Sequence, residues 1–245
     1  MSSFRFDGQR LDDKLVTSIS LLTAAGIPNV LWGNYLLTIY GVPTVVEGVA
    51  FVVPDALVDR SFSTLRGAGF HLCPENLDCV YSNGRRYLRA TTHLHIADNL
   101  AIPLYRKSDV LWDLPDFELA SKDNYPHIIS ASDTRLPLAS LGRGRGRFLP
   151  ELKSTRIPSA TKYCEAIILL LCRDHDTLYT GYWMSILTYI LEFVDGTDMF
   201  DEQYLGESYQ KFYHALKNGD SNTFGLLDEL RHELIKKRLL PIQED

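Results

Sequence analysis

The sequence predicts an α/β (α+β) protein, with a mixed sheet in its first half and a helical unit in its last third. Apolar segments rich in β-branched residues, at positions 30–32 and 44–53, indicate buried strands. Amphipathic segments at 11–25 and 56–68 indicate helices that pack on such a sheet. From position 159 onward, the apolar residues recur at helical spacing.

The first predicted helix covers residues 11–25. Its apolar face is formed by residues at helical spacing, namely Leu11, Leu15, Ile19 and Leu22. Gly26 and Pro28 follow directly, and a glycine with a nearby proline is typical of a helix C-terminus.

A strand, a glycine and a short helix come next. Residues 30–32 read as a buried strand that ends at Gly33, and residues 34–40 as one or two helical turns closed by Gly41. The segment 44–53 carries Glu47 as its charged residue, which favours a central strand covered on both faces.

The segment after the helix at 56–68 predicts a β-hairpin. Two extended runs, 77–81 and 87–96, are separated by Asn83-Gly84. This dipeptide favours positive φ angles and is a common hairpin turn.

Residues 106–153 lack sustained periodicity, which predicts a loop with short elements. Glycine and arginine alternate at 142–147 within it. One interpretation is a mobile arm that neutralises phosphates or an acidic partner, and the other is a solvated surface loop.

Helices are predicted at 163–171, 182–194, 202–217 and 223–239.

These elements divide the chain into four predicted parts. They are an N-terminal helix at 1–26, an α/β core at 27–110, a loop-rich bridge with the Gly-Arg segment at 111–156, and a helical C-terminal unit at 157–245.

Charge and composition exclude several classes of protein. The 245 residues include 25 Lys and Arg against 31 Asp and Glu, which gives a net charge of −6. That sign is unfavourable for general binding to phosphate backbones, so we expect no nucleic-acid partner. No secretory signal is visible and no apolar run reaches about 18 residues, so we expect a soluble, cytoplasmic protein without a membrane partner. The oligomeric state does not follow from the sequence.

The four cysteines are Cys73, Cys79, Cys164 and Cys172. Neither pair has the two-residue spacing typical of a zinc knuckle or a redox dithiol. Cys164 and Cys172 flank an apolar run and are expected to pack as small hydrophobic residues. We interpret the cysteines as free, buried thiols.

The stretch 30–53 reads VLWGNYLLTIYGVPTVVEGVAFVV. It resembles the signature of the nucleotidyltransferase fold, especially the AbiEii-like and minimal nucleotidyltransferase groups. Gly33 after Trp32 matches the glycine pair of that signature in part, Tyr40-Gly41 matches its Tyr-Gly, and an apolar strand follows at the family's distance. The resemblance implies a nucleotidyltransferase-like core at 27–110, with Gly33 and Asn34 in the ligand-binding turn.

The sequence departs from that family at the metal-binding positions. Two aspartates one residue apart hold magnesium there, because alternation places both on one face of a strand. Gly48 and Ala50 stand at these positions, and Thr44 and Val46 replace the family's Arg and Thr. We therefore expect no magnesium binding and no other cofactor.

The family's third carboxylate lies on a neighbouring strand, for which 91–96 is the candidate. This segment contains no acid, but His93 and His95 share a face. Imidazoles suit zinc better than magnesium, yet two histidines make an incomplete site. We interpret them as a pair that is either satisfied by hydrogen bonds or lines a pocket, and not as metal ligands, with Asp98 near enough to orient one ring.

The expected function is that of a catalytically degenerate nucleotidyltransferase-like protein, which binds a small ligand or a protein partner in the former cleft. The alternative is a divergent transferase that acts on a small molecule with Glu47, His93 and His95 as catalytic residues. Glu47 faces away from positions 48 and 50 in a regular strand, so this alternative requires a bulge. Whether the chain is an enzyme stays open at this point.

Overall fold

The computed structural model describes residues 4–20, 25–74, 78–86, 88–116 and 127–241. The chain divides into two compact units, residues 1–159 and 160–245. The first unit holds a sheet with both parallel and antiparallel strands, and the second consists of helices and their connections. These features confirm the predicted α/β class with a mixed sheet.

The first unit begins with a helix and ends with a short strand. Its elements are α1 (Asp13–Ser20), β1 (Val30–Trp32), α2 (Gly33–Ile39), β2 (Ala50–Val53), α3 (Val58–Gly67), α4 (Val80–Asn83), β3 (Thr92–Ala97), β4 (Leu100–Arg106), α5 (Lys107–Val110), β5 (Ile128–Ser130) and β6 (Arg156–Pro158). The predicted helix at 11–25 is observed as α1, and its positions 21–24 lie outside the described residues.

Within the described residues, the main sheet has the strand order β1-β2-β4-β3. β2 pairs antiparallel with β1 and parallel with β4, and β3 pairs antiparallel with β4. The side chains of Phe51, Val52 and Val53 are fully buried. β2 is therefore the central strand that its apolar sequence predicts, and β3 lies at an edge.

The predicted hairpin around Asn83-Gly84 is wrong. Residues 80–83 form the single turn α4, and Gly84 ends it with a φ of 65°. The positive φ that this dipeptide favours serves a helix C-terminus here and not a hairpin turn. The hairpin of this region joins β3 to β4 through Asp98 and Asn99. Residues 77 and 87 of the predicted runs lie outside the described part of the chain.

The first unit also contains a second, two-stranded sheet, and the end of this sheet is hydrogen-bonded to the end of α2. β5 pairs antiparallel with β6, with Ile129 opposite Ile157. The hydroxyl of Tyr40, at the end of α2, donates to the carbonyl of Pro158 over 2.7 Å. The region predicted as a loop thus contributes a strand to the first unit.

The second half of the Gly-Arg segment packs against the end of α2. The amide of Gly144 donates to the carbonyl of Gly41 over 2.8 Å, and the amide of Gly146 donates to that of Thr38 over 3.0 Å. A Cβ at Gly144 would lie 2.4 Å from the Thr38 carbonyl oxygen. For residues 144–147, the interpretations as a mobile arm and as a solvated loop are both wrong, because these glycines allow close backbone contact.

Arg145 connects this segment to two helices. Its guanidinium lies over the ring of Tyr35, with Cζ 3.9 Å from the ring centroid, and pairs with the carboxylate of Asp13 at 2.5 Å. Its Nε donates to the hydroxyl of Thr38 over 3.0 Å. The arginine therefore has a structural role between α1 and α2.

The second unit contains α6 (Ala160–Arg173), α7 (Thr180–Phe193), α8 (Glu207–Asn218) and α9 (Thr223–Lys236). α6 is almost entirely buried, and burial raises the pKa of its two thiols, Cys164 and Cys172. The buried carboxylate of Asp174 accepts a 2.7 Å hydrogen bond from the indole of Trp183. Among the described helices, none is both long and apolar enough to cross a membrane.

The packing of Gly144 predicts that Gly144→Ala destabilises the protein. The added methyl group meets two backbone carbonyls, so we expect a loss of about 1–3 kcal/mol in the free energy of unfolding. Gly67→Ala is the control, because Gly67 lies in α3 and a methyl group added there would have nothing within 4 Å. We expect the control to be neutral or slightly stabilising. Equal stability of the two variants in urea denaturation would contradict the close contact.

Candidate functional site

The region with the family resemblance forms the junction of β1, α2 and β2. Gly33 follows β1 directly and has a φ of 72°, which allows the chain to turn at once into α2. A Cβ at Gly33 would lie 3.7 Å from the Cβ of Ala50. The structure thus brings Gly33 next to one of the two positions where the resembled family has an aspartate.

Asn34 fixes the loop between α2 and β2. Its side-chain amide donates to the carbonyl of Val45 over 3.0 Å. Gly33 and Asn34 are both half-exposed. The two residues predicted for ligand binding therefore lie at the surface of the junction, where Asn34 holds the loop in place.

Gly48 stands at the other of these two positions. It lies directly against the backbone of Ala101 at the start of β4. Its φ is 154°, and a Cβ there would lie 2.1 Å from the Ala101 carbonyl oxygen. The neighbouring amide of Val49 donates to that same oxygen over 2.9 Å. A side chain at position 48 would therefore displace the two strands from each other.

Glu47 takes part in the same strand pairing through its backbone. Its carbonyl accepts from the amide of Ala101 at 3.1 Å and from the hydroxyl of Tyr81 at 3.4 Å. Its carboxylate pairs with Arg86 at 2.9 Å, with side-chain exposures of 28% and 59%. An ion pair this exposed contributes at most about 1 kcal/mol to stability.

The segment predicted to lie beside β2 and to replace the third carboxylate, residues 91–96, is not next to β2 in the sheet. Between β2 and that segment lies β4, and the sequence of β4 from Leu100 to Arg106 contains no acid. His93 and His95 lie on β3, one strand further away. The structure thus separates the imidazoles from the junction by a strand.

The two histidines instead meet two cysteines. One ligand atom from each of Cys73, Cys79, His93 and His95 lies within 4.8 Å of the others, and we refer to these four residues as the Cys/His cluster. Glu47 does not belong to this cluster. Cys79 and His95 are buried, while Cys73 and His93 are half-exposed.

Strand pairing at the sheet edge brings Cys73 to the histidines. The amide of His71 donates to the carbonyl of His95 over 2.9 Å, and the amide of His95 donates back over 2.8 Å. This bridge extends the sheet beyond β3, and Cys73 follows His71 by two residues. Cys79 directly precedes α4.

Sequence reasoning missed the cluster. The signal in the sequence that could have indicated it is the order of two cysteines followed by His-x-His.

The electrostatic surroundings keep His93 neutral. Burial, together with the nearby imidazole of His95, lowers the pKa of His93 to about 4. Its Nε2 atom is buried and has no hydrogen-bond partner in the described part of the chain. At neutral pH this atom is either a donor or an acceptor that no described residue satisfies.

His95 is oriented by the backbone. Its Nδ1 lies 3.2 Å from the carbonyl oxygen of Ala97, which can only accept, so Nδ1 carries the proton. Nε2 is then an acceptor, and it lies 3.8 Å from the sulfur of Cys79. The Ala97 carbonyl performs the orienting role that the sequence suggested for Asp98.

Burial raises the pKa of the Cys79 thiol, and the neighbouring Cys73 raises it further. The nearby backbone amides of Tyr81 and Ser82 act in the opposite direction and lower it. Backbone amides close to a sulfur favour the thiolate form. The two cysteines thus share a site that becomes favourable for thiolates once a cation is present.

Comparison with known protein families, with curated proteins and with solved structures finds no match to this chain. Its class therefore rests on its own fold, an α/β unit with a mixed sheet followed by a helical unit. The resemblance to nucleotidyltransferases stays a prediction.

The differing environments of the cysteines predict their order of alkylation. In protein treated with a chelator, Cys73 should react with iodoacetamide first and Cys79 more slowly, because Cys73 is half-exposed and Cys79 is buried. Cys164 and Cys172 should react only after unfolding, because they are buried with raised pKa values. Peptide mass spectrometry over time measures each site. Labelling of Cys164 as fast as that of Cys73 would contradict the structure.

Proposed function

We propose that the α/β core of this chain is a nucleotidyltransferase-like module that has lost metal-dependent catalysis and serves to bind a small ligand or a protein partner. The proposed family is based on the resemblance of residues 30–53. The proposed loss of catalysis is based on one observation, the contact between Gly48 and Ala101.

That contact supports the proposal because it concerns the backbone and not only the identity of a side chain. A magnesium-binding aspartate at position 48 requires a Cβ, and the Ala101 carbonyl oxygen occupies the space beside that atom at 2.1 Å. A strained φ adds to the steric cost. Restoration of the family's aspartate pair would therefore require β2 and β4 to move apart.

The group of potential metal ligands found among the described residues is the Cys/His cluster, and it does not include the junction. Ala50 carries a methyl group opposite Gly33, β4 has no acid, and the carboxylate of Glu47 pairs with Arg86. Magnesium requires several hard oxygen ligands in near-octahedral geometry. The arrangement favours binding without a bound magnesium ion.

We place the ligand at the surface formed by Gly33 and Asn34. Gly33 carries no side chain and Ala50 carries a single methyl group, so their side chains fill little of the space above the junction. The Asn34–Val45 hydrogen bond gives this surface a fixed shape. A fixed shape lowers the entropic cost of binding.

The alternative of a transferase that uses Glu47, His93 and His95 gains no support from the geometry. Its chemistry needs the carboxylate and both imidazoles around one point. The carboxylate pairs with Arg86, whereas the imidazoles adjoin Cys73 and Cys79.

Nucleotide binding and transfer distinguish the two functions. We expect thermal-shift measurements with nucleoside triphosphates to give the same Tm with and without added magnesium, in buffer free of chelator, because no carboxylate pair binds the ion. We also expect no transfer of a labelled nucleotide to protein, RNA or small-molecule acceptors. Transfer that depends on magnesium and is lost in Glu47→Gln would overturn the proposal in favour of the transferase.

The Gly48 contact predicts that Gly48→Asp is strongly destabilising. We expect a loss above about 3 kcal/mol in the free energy of unfolding, since a steric clash adds to backbone strain. Gly142→Asp is the matched control, because Gly142 also has a positive φ of 76° but a Cβ added there would have nothing within 4 Å. Its expected cost is about 1 kcal/mol. A stable Gly48→Asp protein that binds magnesium would contradict the contact and the proposal.

A further inference from the structure

The Cys/His cluster lies at the β3 edge of the main sheet, one strand removed from the junction where we place the ligand. We propose that Cys73, Cys79, His93 and His95 bind a structural Zn²⁺ ion. This site is independent of the nucleotidyltransferase-like function, and neither proposal depends on the other.

The distances suit a tetrahedral ion. Bonds of about 2.3 Å to sulfur and about 2.0 Å to nitrogen place the ligand atoms of tetrahedral zinc about 3.3–3.8 Å from one another. The sulfur of Cys79 and Nε2 of His95 are 3.8 Å apart, and the ligand atoms of all four residues lie within 4.8 Å. Movements of about 1 Å, within reach of small side-chain rotations, bring the widest pair to the zinc distance.

Both histidines present a nitrogen with an available lone pair. The hydrogen bond between Nδ1 of His95 and the Ala97 carbonyl assigns the proton to Nδ1 and directs Nε2 toward Cys79. A backbone carbonyl on the remote nitrogen is the usual partner of a zinc-bound imidazole. The buried Nε2 of His93, which lacks a partner in the described residues, gains one when it binds the ion.

The chemistry of the ligands selects zinc over magnesium. Thiolate and imidazole are borderline to soft donors, which zinc accepts and magnesium does not. Two thiolates also balance the charge of a divalent cation, so the loaded site is neutral overall. A neutral site has a smaller desolvation cost than a charged one in partly buried surroundings.

The site has a structural role because it is closed. Four protein ligands complete a tetrahedron, whereas catalytic zinc keeps one position for water or substrate. The ion would join the segment that carries Cys73 and Cys79 to β3, next to the His71–His95 bridge. Such a link would reinforce the pairing of His71 with His95 at the edge of the sheet.

Metal analysis of the full-length chain tests the proposal. Protein expressed with added zinc should retain about one zinc per chain after gel filtration, measured by plasma mass spectrometry. Removal of the metal with a chelator should lower Tm by about 10 °C, and zinc should restore it, because the ion binds the native state. Zinc should also slow alkylation of Cys73 without changing that of Cys164. Cobalt(II) in place of zinc should give the visible bands and the sulfur charge-transfer band of a tetrahedral site.

Ligand variants identify the residues that bind. Cys73→Ser and His93→Gln are chosen because both residues are half-exposed, and each should weaken zinc binding by at least about 100-fold. His232→Gln, at an exposed helical position, and Cys172→Ala, in the buried α6, are matched controls that should retain full zinc content. Circular dichroism reports whether each variant folds.

Two results would overturn the proposal. One is a folded, full-length protein that retains no zinc and shows no cobalt charge-transfer band. The other is unchanged zinc content in both Cys73→Ser and His93→Gln. Magnesium-dependent nucleotide transfer, by contrast, would refute the proposed function and leave the zinc site intact.

Discussion

The close contact of Gly48 with Ala101 determines how the main sheet of the first unit is built. The amide of Val49 and the carbonyl of Glu47 both pair with Ala101, so the parallel pairing with β4 begins before the first residue of β2. The glycine between these two hydrogen bonds has no room for a Cβ. The strand arrangement and the lack of a carboxylate at this position are thus two consequences of one steric constraint.

Because of this constraint, the chain has the sequence pattern of the family that it resembles but not that family's metal-binding carboxylates at the same positions. Strand, glycine and short helix are present in the expected order, and Gly33 lies opposite Ala50. The two histidines of the Cys/His cluster are at the other side of β4, on the edge strand β3, and the two cysteines approach them from the segment before it. A central strand buried on both faces tolerates apolar residues best, whereas an edge strand has room for ligands from a neighbouring segment.

The elements that the sequence predicts correctly are those governed by local pattern. Of the strand predicted at 44–53, residues 50–53 form the central strand β2, and the amphipathic segment at 56–68 contains α3. Burial of one or both faces of an element produces a pattern of apolar residues in the sequence. Asn83-Gly84 shows the limit of such reasoning. A positive φ is required both in a hairpin turn and at a helix C-terminus, so the dipeptide alone does not choose between them.

The Cys/His cluster was missed and the Gly-Arg segment was misinterpreted for a shared reason, which is that both depend on backbone contacts between distant parts of the chain. Cys73 reaches the histidines only because His71 pairs with His95, a contact that no spacing of cysteines reveals. Gly144 and Gly146 are glycines because a Cβ at either position would lie within 3 Å of backbone atoms, those of Thr38 and of residues 137–139 respectively. In sequence, glycine signals flexibility and close approach equally well. Only the fold distinguishes these two uses, and here close approach applies both at Gly144 and at Gly48.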